Sequence, residues 1–322
     1  MHCIVPFAAP ASDAGRAALA VMQWPRLQSL LLRLALVDRD EAEPTTFTPP
    51  HERVLARALG WQGEDGRWPF AAHAARADGI DAGAPGEQAW GLVSPVHWHV
   101  GTDQVSVVDP EALQLDEATS RAFFEAVRPL FEEEGLRLVY GHPLRWYVVH
   151  DSLAELRTAS LDRVVGRNVD PWLDIGGAAS TGAAAAPLRR WRRLQAEVQM
   201  MLHAHPLNAS REVAGALPVN SFWLSGCGRV QAAAAPVPLQ VDLTLRAAAV
   251  AEDWPAWAAA WRRVEEGALL GLEVALRRGS EVWLTLAGER SAVTFAPLRG
   301  GLVARLKHAL ARPSVPALLA SL

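Results

Sequence analysis

PLRRWRRLQAEVQMMLHAHPLNASREVAGALPVNSFWLSGCG, residues 187–228, is the stretch on which the reading of the whole chain turns. Leu188, Trp191, Leu194, Val198, Met201, Leu202 and His205 recur at steps of three and four, the period of a helix with one buried stripe. Proline disfavours helical geometry in the residue before it, so His205-Pro206 ends that helix. Asn208 is placed to cap a second, short helix, which Gly215 closes in the left-handed conformation. Pro218 to Ser225 then reads as a strand that stops at Gly226-Cys227-Gly228, where a backbone without side chains can approach a ligand or another strand.

Working outward, the same periodicities organise the remaining chain. Met1 to Pro10 opens as a strand, and Ser12 to Val37 reads as two helices around Trp24-Pro25. Further helices are expected at Pro50 to Leu59, from Trp68-Pro69 to about Arg76, and at Glu117 to Glu134. Trp90 to Val100 and Gln104 to Val108 alternate as paired strands, and Arg137 to Tyr140 and Arg145 to His150 as the next two. Past residue 230, Pro238 to Leu245 reads as a strand and Trp254 to Arg278 as a helix or helix pair. Glu281 to Ala287 and Ala292 to Phe295 form a hairpin, and Leu302 to Ala311 is the closing helix.

Ile175 to Ala186, IGGAASTGAAAA, has neither periodicity nor charge and reads as a flexible linker. The expected architecture is α/β, a mixed sheet flanked by helices in two lobes joined by this small-residue linker. The lobes are 1–174, an N-terminal α/β lobe, and 187–322, a C-terminal α/β lobe carrying the HPxN and NSxW motifs.

Composition excludes several function classes. A net charge of −4 over 322 residues gives the whole molecule no electrostatic reason to seek nucleic acid or anionic lipid. Two cysteines, Cys3 and Cys227, make no disulfide framework and fit a reducing compartment. The N-terminus lacks the charged region of a signal peptide, and no apolar run reaches the ~18 residues of a membrane span. The expected location is therefore cytoplasmic. Lys307 is the sole lysine and sits in a helical pattern without a glycine loop, which removes Schiff-base and phosphate-loop chemistry.

Few residues are placed for chemistry. His97-x-His99 projects both imidazoles from one face of a strand, with Asp103 the nearby acid, whereas a metal site wants three or more convergent ligands. These three are the weak metal candidates, and no metal or other cofactor is expected. Cys227, in its glycine turn, is a position for a nucleophilic thiolate, but a structural thiol fits it better. Gly226-Cys227-Gly228 could cradle an anion with help from Arg211 and Arg229. The run Arg189 to Arg193 surrounds a stripe tryptophan and reads as a solvated helix face rather than a nucleic-acid contact. Asn208, Arg211, Asn220 and Ser221, with Trp223 and Arg229, form a candidate polar pocket for a small anionic ligand. In that pocket Asn208 and Asn220 are expected to shape the turn and Arg211 to face open space. The oligomeric state is not set by the sequence.

The motif His205-Pro206-Leu207-Asn208-x-x-Arg211, Gly215, Val219-Asn220-Ser221-Phe222-Trp223-Leu224-Ser225-Gly226-x-Gly228 resembles the RpfE-type regulatory protein family of proteobacteria, many of whose members carry the name phosphoglycerate mutase. Pro95-Val96-His97-Trp98, Asp103, Asp109-Pro110, Trp146, Gly166-Arg167, Asp170-x-Trp172 and Glu197-x-Gln199-Met200 extend the resemblance over most of residues 50–230. The central segment is also similar to archaeal-type cofactor-independent phosphoglycerate mutases. Those enzymes need a nucleophilic Ser or Thr and two divalent metals, with an aspartate-glycine after the first strand and a late aspartate-histidine pair. Here the first strand runs into Pro6-Phe7-Ala8-Ala9, and His308 is the one histidine after Gly228. The resemblance thus implies a regulatory or ligand-binding protein without the mutase metal site. The alternative is a metal-dependent phosphoryl-transfer enzyme using His97, His99, Asp103, His142 and His203 or His205, and a second alternative is a nucleic-acid-binding regulator.

Overall fold

The structure, a computed structural model, describes residues 1–10, 12–102, 104–173, 186–233, 237–298 and 314–322. The chain divides into two compact units, Met1–Pro44 with Pro49–Gly60 and Ala234–Leu322, and Thr45–Thr48 with Trp61–Ala233. It begins in the first unit with β1 (His2–Val5), α1 (Asp13–Val21), α2 (Pro25–Leu31), β2 (Leu34–Glu41) and α3 (Pro50–Ala58). The second unit holds α4 (Phe70–Ala77), β3 (Ala89–Val96), a hairpin of β4 (Trp98–Val100) and β5 (Val105–Val107), α5 (Glu117–Glu133), β6 (Arg137–His142) and β7 (Arg145–Val149). It continues with α6 (Leu161–Val164), α7 (Ala186–His203), α8 (Pro206–Val213) and β8 (Ser221–Arg229). Back in the first unit come β9 (Leu239–Val241), α9 (Arg246–Val250), α10 (Trp254–Val264), α11 (Leu270–Arg277), β10 (Trp283–Ala287), β11 (Ser291–Pro297) and α12 (Val315–Ala320).

The first unit is built on a mixed sheet in the order β2-β11-β10-β1-β9. β1 runs parallel to β9 and β10, and β10, β11 and β2 are antiparallel neighbours. Cys3 and Val5 of β1 share a core with Trp24, Leu27, Trp257 and Trp261 from the helices. Glu265, at the π-helical turn between α10 and α11, accepts from the Arg26 and Leu27 amides at 2.8 and 3.0 Å. That remote carboxylate supplies the cap that Trp24 cannot give α2. Residues Leu34 to Val37 are strand, where the sequence led us to expect helix. The decisive partner, β11, lies far along the chain and pairs along the length of β2 except at Val37, where the register shifts; local periodicity cannot register such a partner. The expected closing helix at Leu302 to Ala311, with Lys307 and His308, lies outside the described residues.

The second unit carries an antiparallel sheet in the order β6-β7-β3-β8. Side chains alternate across it with the period of two. Ala89, Val93, Trp146 and Val148 join the core formed with Phe123, Phe131, Leu194 and Val198 of α5 and α7. Trp90, Tyr147 and Val149 instead pack with Ala71, Ala72 and Ala75 of α4. β8 does not stop at Ser225 as expected; it runs on through both glycines to Arg229. Its register against β3 shifts between Trp90 and Leu92, and Gly226 there has φ +61°. The extra residue reverses the alternation, so Cys227 joins Phe222 and Leu224 in the α5 and α7 core. A Cβ on Gly226 would lie 2.8 Å from the Ala71 nitrogen, so this glycine lets the start of α4 press onto the strand.

These pairings correct the expected domain boundary. Described chain on both sides of 175–186 belongs to the second unit, and the linker itself, apart from Ala186 at the start of α7, lies outside the described residues. β8 pairs with β3 and α7 packs with α5, so lobes cut at 174 and 187 would divide one sheet and one core. Composition marked a change in local order, whereas unit membership is set by long-range pairing.

Candidate ligand-binding site

The HPLN corner is a hydrogen-bonded joint between α7 and β8. His205, not Asn208, caps α8: its ring accepts from the Leu207 amide at 3.3 Å. Pro206 takes the first helical position, where its missing N–H costs nothing. That moves Asn208 into the first turn, 4% exposed. Its Nδ2 donates to Leu202 O at 2.8 Å and Val219 O at 2.7 Å, and its Oδ1 accepts from Val219 N at 2.9 Å. Arg211 does not face open space as expected. Its Nε donates to Leu217 O at 2.8 Å and a terminal nitrogen donates to Leu113 O, both main-chain oxygens. Burial lowers the Arg211 pKa, opposed by the charge of Asp116.

Further along, the candidates face a different place. Asn220 clasps the main chain of Trp98, Ser221 Oγ accepts from Gln199 Nε2 at 3.0 Å, and Trp223 Nε1 donates to Ala159 O at 2.8 Å. Arg229, at the far end of β8, is paired with Asp151 at 3.0 Å. The structure thus brings Asn220, Ser221 and Trp223 to one region, and leaves Asn208 and Arg211 in the joint and Arg229 apart from both.

Of Asn220, Ser221 and Trp223, only Trp223 lines a cavity of about 290 Å³ beside α7 and β8, whose wall also includes Trp98, Trp172, Trp191, Gln195 and Gln199. Arg192 also lines it, and among the described residues no acidic side chain does. The Trp98 and Trp223 rings meet at 6.2 Å and 42°, tilted against each other. Trp172 Nε1 is spent on Thr46 O at 3.3 Å, whereas the enclosed Nε1 groups of Trp98 and Trp191 have no acceptor among the described residues. Gln195 Nε2 donates to Phe222 O at 3.0 Å, and with Gln199 held by Ser221 both carboxamides are oriented. A second concavity, about 540 Å³, shares Trp98 and Gln199 and reaches Asn220, His203 and the exposed Met200 and Val100.

Arg192, Gln195 and Gln199 stand three and four residues apart on α7, off the buried stripe of Trp191, Leu194, Val198 and Leu202. That polar spacing was the signal available in the sequence. Trp98 and Trp172 stood in the motifs of the resemblance but carried no spacing that linked them to α7, because each sits on a separate short element that only the fold brings there. Arg190 and Arg193 of the basic run are paired with Glu134, and Arg193 also with Glu197. Among the described residues Arg189 and Arg192 have no ion-pair partner and remain exposed.

Of the remaining candidates, His97 and Cys227 are engaged by other parts of the unit. His97 falls in the break between β3 and β4, and its Nδ1 engages Pro218 O at 2.9 Å. His99 is exposed on β4, His142 ends β6, and Asp103 lies outside the described residues. Cys227 is buried inside a strand, its amide on Thr158 Oγ1 at 3.3 Å. Burial pushes its thiol up to about 12, so at neutral pH it carries its proton and is no nucleophile. The same amide bond and the Trp90 pairing of Gly228 consume donors that an anion cradle at 226–228 would need.

Fold and cavity together define an α/β protein of two units whose second unit holds a small, tryptophan-lined concavity with one cation at its wall. No protein-family model and no curated protein matches the chain. Among solved structures it is similar to the cofactor-independent phosphoglycerate mutase from Thermoplasma acidophilum, at 13% identity over 91% of this chain and 89% of that one, with a TM-score of 0.36. It is also similar to the PH0037 protein from Pyrococcus horikoshii, at 12% identity over 95% of this chain and 91% of that one, with a TM-score of 0.44. Among the described residues no helix is long and apolar enough to cross a membrane.

Proposed function

We propose that the chain is an RpfE-type regulatory protein of the cytoplasm that works by binding a small anionic ligand in the tryptophan-lined cavity. The observation that carries this reading is Arg192, exposed and without an ion-pair partner among the described residues, on the same wall as four indoles and two oriented carboxamides. Ligand sites are mostly apolar concavities with a few placed polar groups, and this one lies at the small end of their ~300–1,000 Å³ range. The resemblance of the HPLN and NSFWLSG segments to RpfE-type proteins supports the regulatory part; within these segments Asn208 ties the end of α7 to the start of β8, and Asn220 holds the main chain of Trp98. Two buried free cysteines fit a reducing compartment.

Of the histidines that a phosphoryl-transfer site would draw on, His97 holds a carbonyl and His205 a helix end. A thermal-shift screen with small carboxylates and phosphorylated metabolites tests the binding reading. Stabilisation of wild type that is lost in Arg192→Ala is expected. Equal responses from both proteins would move the site elsewhere, and turnover of 3-phosphoglycerate that a chelator abolishes would replace this reading with the enzymatic one.

A further inference from the structure

Resting on that reading, we propose that the anion is carried by a planar heteroaromatic ring: the cavity takes a nucleoside monophosphate, its base against the indoles and its phosphate at Arg192. A bare phosphate or a small phosphorylated acid is recognised by several cations and main-chain amides. Among the described residues this wall has one arginine and two glutamines; the rest is apolar, mostly aromatic, with Leu173, Ala196 and Leu224 beside the rings. Most of the ligand it fits is therefore flat and weakly polar, and bases stack on indole faces regardless of which base is present.

The glutamines narrow the class further. Each carboxamide is fixed by an Nε2 bond to the protein, to Phe222 O and to Ser221 Oγ, so each Oε1 is left as an acceptor. The two stand one helical turn apart, roughly 6 Å along α7. Acceptors in that arrangement select rings that carry N–H donors at their edge, as nucleobases do and simple aryl acids do not. Quaternary ammonium ions, which also favour tryptophan cages, are opposed by the neighbouring Arg192 charge, with no acid among the described lining residues to offset it. Arg192 lies one turn before Gln195, so a ligand lying along α7 places its anionic end at the arginine when its ring meets the glutamines. Arg189, one turn earlier and likewise without an ion-pair partner among the described residues, extends the positive end.

The same chemistry, a stacked base beside a phosphate, is offered by a single-stranded oligonucleotide, so the experiment includes both sources. Tryptophan fluorescence and calorimetry would follow GMP, AMP, guanosine, 3-phosphoglycerate and a short single-stranded RNA against the full chain. GMP or AMP is expected to bind wild type, with guanosine about tenfold weaker, about the loss of one charge-assisted contact. Arg192→Ala should bring the nucleotide down to the level of guanosine without changing guanosine itself. Trp98→Ala should remove both, with circular dichroism and the melting curve confirming that the variant is folded. Arg192 has no partner among the described residues, so its variant keeps the test meaningful if Trp98→Ala fails to fold. If 3-phosphoglycerate binds as tightly as the nucleotides in an Arg192-dependent way, the ring is overturned while the anion site stands. If RNA binds and mononucleotides do not, the free nucleotide is overturned in favour of a strand. If nothing in this set or in the metabolite screen binds, the anion site falls together with the ring.

Discussion

Asn220 mimics a strand partner for Trp98. Its Oδ1 accepts from Trp98 N at 2.7 Å and its Nδ2 donates to Trp98 O at 2.9 Å, so one side chain satisfies both main-chain groups at the point where β3 breaks before the β4 and β5 hairpin. Trp98 lines both concavities, so this carboxamide positions the candidate site without lining its smaller part. Asn220→Ala is expected to lower unfolding free energy by about 1 to 3 kcal/mol, since two main-chain groups lose partners. Asn220→Asp should also fall below wild type, because it keeps the acceptor for Trp98 N but sets a charged oxygen against Trp98 O where the donor had been. Urea titrations of the three proteins decide this; an alanine variant as stable as wild type means water replaces the side chain freely.

Gly226→Ala is expected to cost on the order of 2 kcal/mol or more, measured the same way. Two causes act together: the residue is held at φ +61°, and the new methyl would stand 2.8 Å from a main-chain nitrogen of α4 that cannot swing aside. Gly215→Ala makes the comparison, because its φ of +72° is similar but nothing lies within 4 Å of the added carbon. If the two variants lose the same amount, backbone conformation alone accounts for both.

Cys227 should resist alkylation in the folded protein at pH 8 and react once denatured. Its buried thiol, raised to about 12, presents almost no thiolate at that pH. Cys3, raised to about 12 by burial and by the nearby charge of Asp242, should behave in the same way. Mass spectrometry after brief iodoacetamide treatment reports both thiols; rapid native modification at Cys227 would reopen the nucleophile reading.

His2 gives the protein an acid-side weakness. Burial lowers its pKa from 6.5 to about 4, and Nε2 is hydrogen-bonded to Thr285 Oγ1 at 2.8 Å. Below about pH 6.5 the unfolded chain takes up a proton that the folded chain refuses until about pH 4. Stability is therefore full above 6.5 and falls as pH drops through that window, by at most about 3 kcal/mol. His2→Gln should flatten this part of the profile. Denaturation midpoints from pH 7 to pH 4 that run parallel in the two proteins would show that His2 is not the cause.

The sequence by itself determined the elements whose cause is local. The stripe Leu188, Trp191, Leu194, Val198 and Leu202 fixed α7 and its buried side, and the glycine and proline breaks placed α2, α3, α5 and the hairpins closely enough to define an α/β chain. Asn208 and Asn220 were recognisable as organisers of a turn, because carboxamides beside proline and glycine are suited to main-chain bonding. Local pattern could not decide which backbone each residue would meet. Leu34 to Val37 became strand because β11 was there to pair, and β8 passed through its glycines because α4 lay against them. Arg211 turned to two carbonyls that come from different parts of the chain. The cavity is the extreme case. Trp98, Trp172, Trp191 and Trp223 belong to four elements, and only long-range pairing, whose loop-closure terms leave no trace in local periodicity, brings their rings to one wall.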